Sequence, residues 1–254
     1  MDLGLKGKKA IVTGATKGIG RRIAELLARE GCDIAICARK ADEVAEAVAA
    51  LQKLGVKAYG ASVNVKEGEV YKAWLVKAAE QLGGCDIFIP NVSAGGGMDA
   101  GEKNWYRNFE VDLMGAVRGC DALMPVLKQS ESGAIVFIAT TAAVETFIAP
   151  MAYNALKASL ITYAKQLSQV VFKRNIRINV VSPGPILFDG GSWDQIRAST
   201  PDFYNATLSQ QPSGRMGTPE EVARCVVFLA SPAAAWVTGV NLVVDGGFTK
   251  RVQF

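Results

Sequence analysis

A chain of 254 residues, half of them hydrophobic, can bury a large core, and its net charge of +4 comes from 28 Lys and Arg scattered among 24 Asp and Glu. That scatter excludes the basic stripe of a nucleic-acid binder. The lack of any histidine excludes Ser-His-Asp hydrolysis, Cys-His proteolysis and the common zinc sites, so an acid or base working near neutral pH must be a Tyr, Lys, Cys or carboxyl group of shifted pKa.

Apolar runs of strand length alternate with helical patterns along the whole chain. "KKAIVT" leads to a helix near Ile19 to Glu30, "DIAIC" to one near Asp42 to Leu54, and "VKAYGASV" to one near Glu67 to Leu82. "CDIFIP" precedes a long helix near Glu102 to Lys128, and "AIVFIA" a second near Met151 to Lys173. "IRINVV" is followed by an irregular segment, a helix near Pro219 to Ala230 and a last strand, "VNLVVD". Seven strands with intervening helices predict a parallel sheet covered on both faces. No Pro-, Gly- or Ser-rich stretch divides the chain, so residues 1–254 are expected to form a single domain. The long insertion Phe188 to Arg215 is expected to act as a substrate lid, because ligands of such folds sit beyond the carboxyl ends of the strands.

Cys32, Cys37, Cys85, Cys120 and Cys225 form no CxxC pair and read as buried thiols of a reducing compartment. The N-terminal "MDLGLKGKK" lacks the layout of a signal peptide, and the longest apolar stretch, Ala134 to Ala152, is interrupted by polar residues and Pro150. A cytoplasmic protein is expected, without a membrane span.

"TGATKGIG", Thr13 to Gly20, follows the first strand and opens the first helix. Gly14 permits a tight turn, Gly18 lets the backbone approach a pyrophosphate, and Gly20 allows close helix packing, while the helix N-terminus offers free N–H groups. An NAD site carries an acidic residue about 20 positions on; here the second strand ends in "CARK". Asp33 begins that strand and Asp42 lies past its end as an expected helix cap, so neither is well placed. Arg39, Lys40 and Lys17 are the candidates to clamp a 2′-phosphate, which predicts NADP(H) over NAD(H). Farther on, "YNALK" stacks Tyr153 and Lys157 on one helical face at i, i+4.

Together with "IRINVVSPGPI" (Ile176 to Ile186), "GRMGTPEEVA" (Gly214 to Ala223) and "VTGVNLVVDGG" (Val237 to Gly247), these motifs resemble the classical short-chain dehydrogenase/reductase family over essentially the whole chain, and are similar to its 3-oxoacyl-acyl-carrier-protein reductase-like members. The resemblance implies an α/β, Rossmann-type doubly wound, seven-stranded parallel sheet. It implies that Tyr153 donates a proton to a carbonyl oxygen, that Lys157 binds the nicotinamide ribose and lowers the Tyr pKa, and that Thr140 polarises the carbonyl. It places Thr16 and Ile19 in the cofactor loop, adenine near Asn64 and Val65, the ribose near Asn91, and the nicotinamide against Pro183, Gly184 and Ile186. Physics favours the central pair: a unit charge about 4 Å from a phenol is worth ~4 kcal/mol at an effective dielectric of about 20, roughly three pKa units.

The chain departs from the family in several places. The catalytic Ser is Thr140, with Thr141 adjacent; the Asn of the long helix is Asp112, expected either to pair with Lys157 or to serve a proton relay as a base. After the fourth strand only Asn91 of the usual motif remains, and a Thr that often holds the carboxamide is Phe188. These changes predict an altered substrate side, with walls from Ser93, Gly95, Met98, Val144, Phe147, Met151, Phe188, Trp193, Phe203 and Tyr204. The expected activity is hydride transfer between NADPH and a ketone or aldehyde, with no metal required. The alternatives are a 3-oxoacyl-acyl-carrier-protein reductase, docking its partner through Lys103, Arg107, Lys128, Arg174 and Arg197, and a cofactor-binding or sensing member that has lost turnover. The resemblance also implies a homotetramer, the two long helices packing on a second subunit and the segment after Gly246 on a third.

Overall fold

The computed structural model describes residues 2–96, 101–146 and 151–252. Its elements run β1 (Lys9–Thr13), α1 (Gly18–Arg29), β2 (Asp33–Ala38), α2 (Ala41–Gln52), β3 (Ala58–Ser62), α3 (Gly68–Leu82), β4 (Ile87–Ile89) and α4 (Glu102–Asn108). A π-helical turn (Phe109–Met114) joins α4 to α5 (Gly115–Leu127), followed by β5 (Gly133–Ile138), α6 (Met151–Val171) and β6 (Ile176–Pro183). The chain closes with α7 (Ser192–Ser199), α8 (Pro201–Leu208), α9 (Pro219–Ala230) and β7 (Asn241–Val244).

The seven strands form one parallel sheet in the order β3-β2-β1-β4-β5-β6-β7. Successive residues of a strand point to opposite faces, so each central strand feeds two cores. Ala10 and Val12 of β1, Ile34 and Ile36 of β2, and Val136 of β5 pack with α1, α2 and α9. Ile11, Ala35, Cys37 and Phe137 pack on the other face with α3, α5 and α6. Burial on both faces is why these strands are continuous apolar runs rather than alternating ones. The winding reverses between β1 and β4, which opens a crevice at the carboxyl ends of the two strands.

The expected elements are present, with three corrections. The helix expected as continuous from Glu102 to Lys128 is broken by the π turn, where six residues hold a wider i→i+5 pattern. The insertion after β6 is not irregular: it folds into α7 and α8, and Trp193 of α7 stacks on Phe203 of α8 with ring centroids 5.9 Å apart. Asp42 does not cap α2; Lys40 occupies that position without a side-chain capping bond to the backbone, and Asp42 lies within the first turn. Cys32, Cys37, Cys85 and Cys120 are buried and Cys225 is half-buried, all as free thiols. No described helix is long and apolar enough to cross a membrane.

Arg177 of β6 is 5% exposed and donates to the carbonyls of Leu229, Ala230 and Ser231, at 2.6, 3.3 and 2.9 Å, at the end of α9. These carbonyls have no partner within the helix. Arg177→Ala should therefore cost about 3 kcal/mol and lower the thermal midpoint by roughly 5–10 °C in a calorimetric scan.

Candidate active site

The glycine loop sits at the mouth of the crevice. Gly14 and Gly18 have φ of +65° and +58°, a region costly for other residues. A Cβ at Gly20 would lie 2.3 Å from Asn91 Nδ2 and 2.4 Å from the Gly14 carbonyl. Asn91, at the end of β4, donates through Nδ2 to the carbonyls of Thr13 and Gly14, both at 3.0 Å, and its N–H donates to Thr13 Oγ1 at 3.1 Å. The expected ribose ligand is thus also the clasp between β4 and the loop. At the start of α1, Lys17 makes no side-chain cap and the first turn holds no acidic residue. Free N–H groups and the helix dipole there suit a pyrophosphate, so the residues present fit a dinucleotide.

Arg39 and Lys17 are exposed near this end, and the guanidinium of Arg39 has no partner among the described residues. Lys40 is not free: its Nζ lies 2.7 Å from Glu43 Oε1. Glu43 also accepts from the Thr16 hydroxyl at 3.2 Å. Val65 is buried, and Asn64 donates to Glu67 at 3.2 Å.

At the other end, Tyr153 and Lys157 rise from the first two turns of α6, with Lys157 Nζ 5.9 Å from the Tyr153 ring centroid. The phenol is hydrogen-bonded to the hydroxyls of Thr140 and Ser93. Thr140 follows β5 in extended conformation, and its Oγ1 also accepts from the Ala142 N–H at 3.3 Å. Lys157 is 1% exposed; its Nζ lies 3.2 Å from Asp112 Oδ1 and donates to the Ile138 carbonyl at 2.8 Å. The Asp112 carboxylate in turn accepts from the Ala94 N–H at 3.2 Å, and Arg107 donates to the Ala94 carbonyl. A cavity of about 10 Å³ beside Asp112, lined also by Thr13 and Val65, has room for about one water.

This arrangement corrects the expected electrostatics. Burial first, and then the Asp112 carboxylate, hold the Tyr153 phenol well above its usual pKa, while bonds to Thr140 and Ser93 pull it partly back. Lys157 is paired with Asp112, which weakens its pull on the phenol.

The substrate residues divide. Ser93 reaches the phenol, whereas the Phe188 ring lies on the glycine loop: a Cβ at Gly18 would meet its Cζ at 2.6 Å. Phe188 therefore covers the glycine loop, with Gly191 packed against the other side of its ring. Trp193 stays within the lid, against Phe203 and Tyr204. Val144 and Glu145 hold the C-terminal segment: the Lys250 and Arg251 N–H groups donate to Glu145 Oε2 at 3.0 and 3.3 Å, and the Arg251 side chain donates to the Val144 carbonyl at 2.7 Å. That segment thus docks on its own chain. Met98 and Phe147 lie outside the described residues. Pro183, Gly184 and Ile186 continue β6 toward the crevice, where Ile186 bridges to Gly217.

A family model described as enoyl-(acyl carrier protein) reductase, of the short-chain dehydrogenase type, matches residues 14–249. The chain is a short-chain dehydrogenase/reductase. Isoepoxydon dehydrogenase patN of Aspergillus clavatus is 34% identical over 254 residues, with 98% of each chain covered. L-Sorbose reductase from Gluconobacter frateurii, solved with NADPH and L-sorbose, is 34% identical and superposes with a TM-score of 0.90 over 99% of this chain and 100% of its own. NAD⁺-bound xylitol dehydrogenase, 25% identical, also reaches 0.90, over 96% of this chain and 99% of its own. The chain is accordingly an oxidoreductase with a nicotinamide-binding fold.

Sequence reasoning missed Glu43 in this short-chain dehydrogenase/reductase. Asp33 and Asp42 are the acids nearest the end of β2 in the sequence, but the carboxylate that reaches the glycine loop is one position farther in the R-K-A-D-E run, in the first turn of α2. Gly20→Ala should abolish saturable cofactor binding in a fluorescence titration while leaving a folded circular dichroism spectrum, since its methyl displaces the Asn91 amide from the loop.

Proposed function

We propose that this chain is an NADP(H)-dependent reductase of ketones or aldehydes, reversible with the alcohol. The observation that carries the reading is the phenol of Tyr153 bonded to two hydroxyls, Thr140 and Ser93, one helical turn from Lys157 at the end of a crevice opened by the glycine loop. A bound nicotinamide dinucleotide supplies the hydride. The loop from Gly14 to Gly20 would hold its pyrophosphate, Lys17, Arg39 and Lys40 its 2′-phosphate, Asn64 and Val65 its adenine, Asn91 and Lys157 its second ribose, and Pro183, Gly184 and Ile186 its nicotinamide.

Tyr153 gives its proton to the carbonyl oxygen, which Thr140 and Ser93 orient and polarise. A phenol held well above its usual pKa is fully protonated at neutral pH, the form that donates, although it is a weaker acid than one tuned toward neutrality. Burial sets this state first, and Asp112 adds to it by disfavouring the phenolate and by engaging the ammonium that would otherwise stabilise it. In the oxidative direction the phenolate is the required form, so that rate rises with pH.

The NADPH of the L-sorbose reductase structure supports the cofactor assignment, as do Arg39 and Lys17, whose charged groups have no hydrogen-bond or ion-pair partner among the described residues. The names of the two relatives point to small oxygenated substrates. A carrier-protein partner finds less support: of the five candidate docking cations, Arg107 donates to Ala94 and Arg197 lies 2.6 Å from Asp194. Exposed Trp105, Tyr106 and Met151 on α4 and α6 support burial against another subunit, as in a homotetramer. The buried free thiols suit the cytoplasm.

NADPH consumption against a panel of aliphatic, aromatic and sugar-derived ketones tests the reading. Tyr153→Phe should lose at least ~100-fold in kcat, and a variant that kept most of the turnover would sink the assignment. Asp112→Asn should move the rising limb of the alcohol-oxidation pH profile down by about one unit or more, because removing the carboxylate stabilises the phenolate.

A further inference from the structure

Glu43 uses its two carboxylate oxygens on two different segments. Oε2 accepts from the Thr16 hydroxyl in the glycine loop at 3.2 Å, and Oε1 from the Lys40 ammonium at the β2–α2 turn at 2.7 Å. The cofactor approaches between these segments in a fold of this topology. Lys17 and Arg39 stand beside them, and both lie close enough to be felt electrostatically, Lys17 by Glu43 and Arg39 by Lys40. Asp42 is the other acidic neighbour. Three cations gathered from these two segments repel each other, and a long Lys side chain left to itself samples many rotamers. An anchoring carboxylate removes that freedom before the ligand arrives.

We infer that Glu43 is a positioning residue for the adenosine end of the site, holding the Thr16 hydroxyl and the Lys40 ammonium on its two sides so that a 2′-phosphate meets a preset cluster with Lys17 and Arg39. The inference rests on the NADP(H) reading above. Glu43 touches neither the reacting atoms nor Tyr153, and its ion pair with Lys40 is solvent-exposed, so the pair adds little by direct attraction. Its effect comes from order imposed on groups that a phosphate needs, and fixing one such side chain changes affinity by roughly three- to tenfold. NAD(H), with a hydroxyl in place of the phosphate, has less to gain from a fixed Lys40.

Direct binding of NADPH and of NADH to the full chain, followed by tryptophan fluorescence, provides the test, with kcat, KM and thermal midpoint measured in parallel. In Glu43→Ala the Kd for NADPH should rise about three- to tenfold and that for NADH by less than twofold, with kcat at saturating NADPH and the thermal midpoint nearly unchanged. Glu43→Gln, which keeps polar atoms facing both partners, should restore most of the NADPH affinity. Unchanged or tighter NADPH binding in Glu43→Ala overturns the inference, the latter by making Glu43 an opponent of the phosphate. Equal loss with both cofactors, or a drop in thermal midpoint that tracks it, also overturns it, since a purely structural tie would act that way. If the unaltered protein binds NADH as tightly as NADPH, the NADP(H) reading itself fails, and that result is separate from any effect of the variants.

Discussion

The ion pair between Lys157 and Asp112 fixes the geometry on which the chemical end of the molecule depends. Both side chains are almost fully buried, and together they bond to four segments: α6 through Lys157, the π turn through Asp112, β5 through the Ile138 carbonyl, and the segment after β4 through the Ala94 N–H. Such a pair is a poor source of stability, because desolvating two ions offsets most of their attraction. Removing one partner alone is costly, and the site is therefore held to a single arrangement. Tyr153 lies one turn before Lys157, so the same restraint aims the phenol at Thr140 and Ser93.

In a chain without histidine this restraint also sets the chemistry. A phenol near a free ammonium tends toward the phenolate; one near a carboxylate that has already taken the ammonium stays protonated. The π turn makes the difference, since Asp112 belongs to its wider helical pattern. Replacing an amide by a carboxylate in this place changes the charge seen by the phenol while leaving the positions of Tyr153 and Lys157 in the helix as they were.

The two ends of the crevice follow different physics. At the chemical end, groups are buried and each charge has a large effect. At the adenosine end Arg39, Lys40 and Glu43 are solvated, attraction is screened, and placement of side chains matters more than their charge. Between the two ends lie the Asn91 clasp and the Phe188 ring over Gly18, which couple the glycine loop to β4 on one side and to the lid on the other. The C-terminal segment closes a second coupling, from β7 to the Val144–Glu145 turn that follows Thr140.

The alternation of strands and helices was legible in the sequence because parallel strands buried on both faces are unbroken apolar runs, and helix periodicity is a local property. The glycine loop and the Tyr153–Lys157 pair were legible for the same reason, being written in spacings of a few residues. The π turn was not, because helical sequence periodicity does not register one widened turn. The partners of Glu43, Ser93 and Phe188 were not either: Thr16 and Glu43 are 27 positions apart, and the glycine loop is far along the chain from Phe188. Sequence by itself determined the alternation of strands and helices, the glycine loop and the Tyr153–Lys157 spacing; only the tertiary structure decided where the strand order reverses, which charges face the phenol and which side chain covers the glycine loop, because those follow from contacts between segments that carry no local sign of each other.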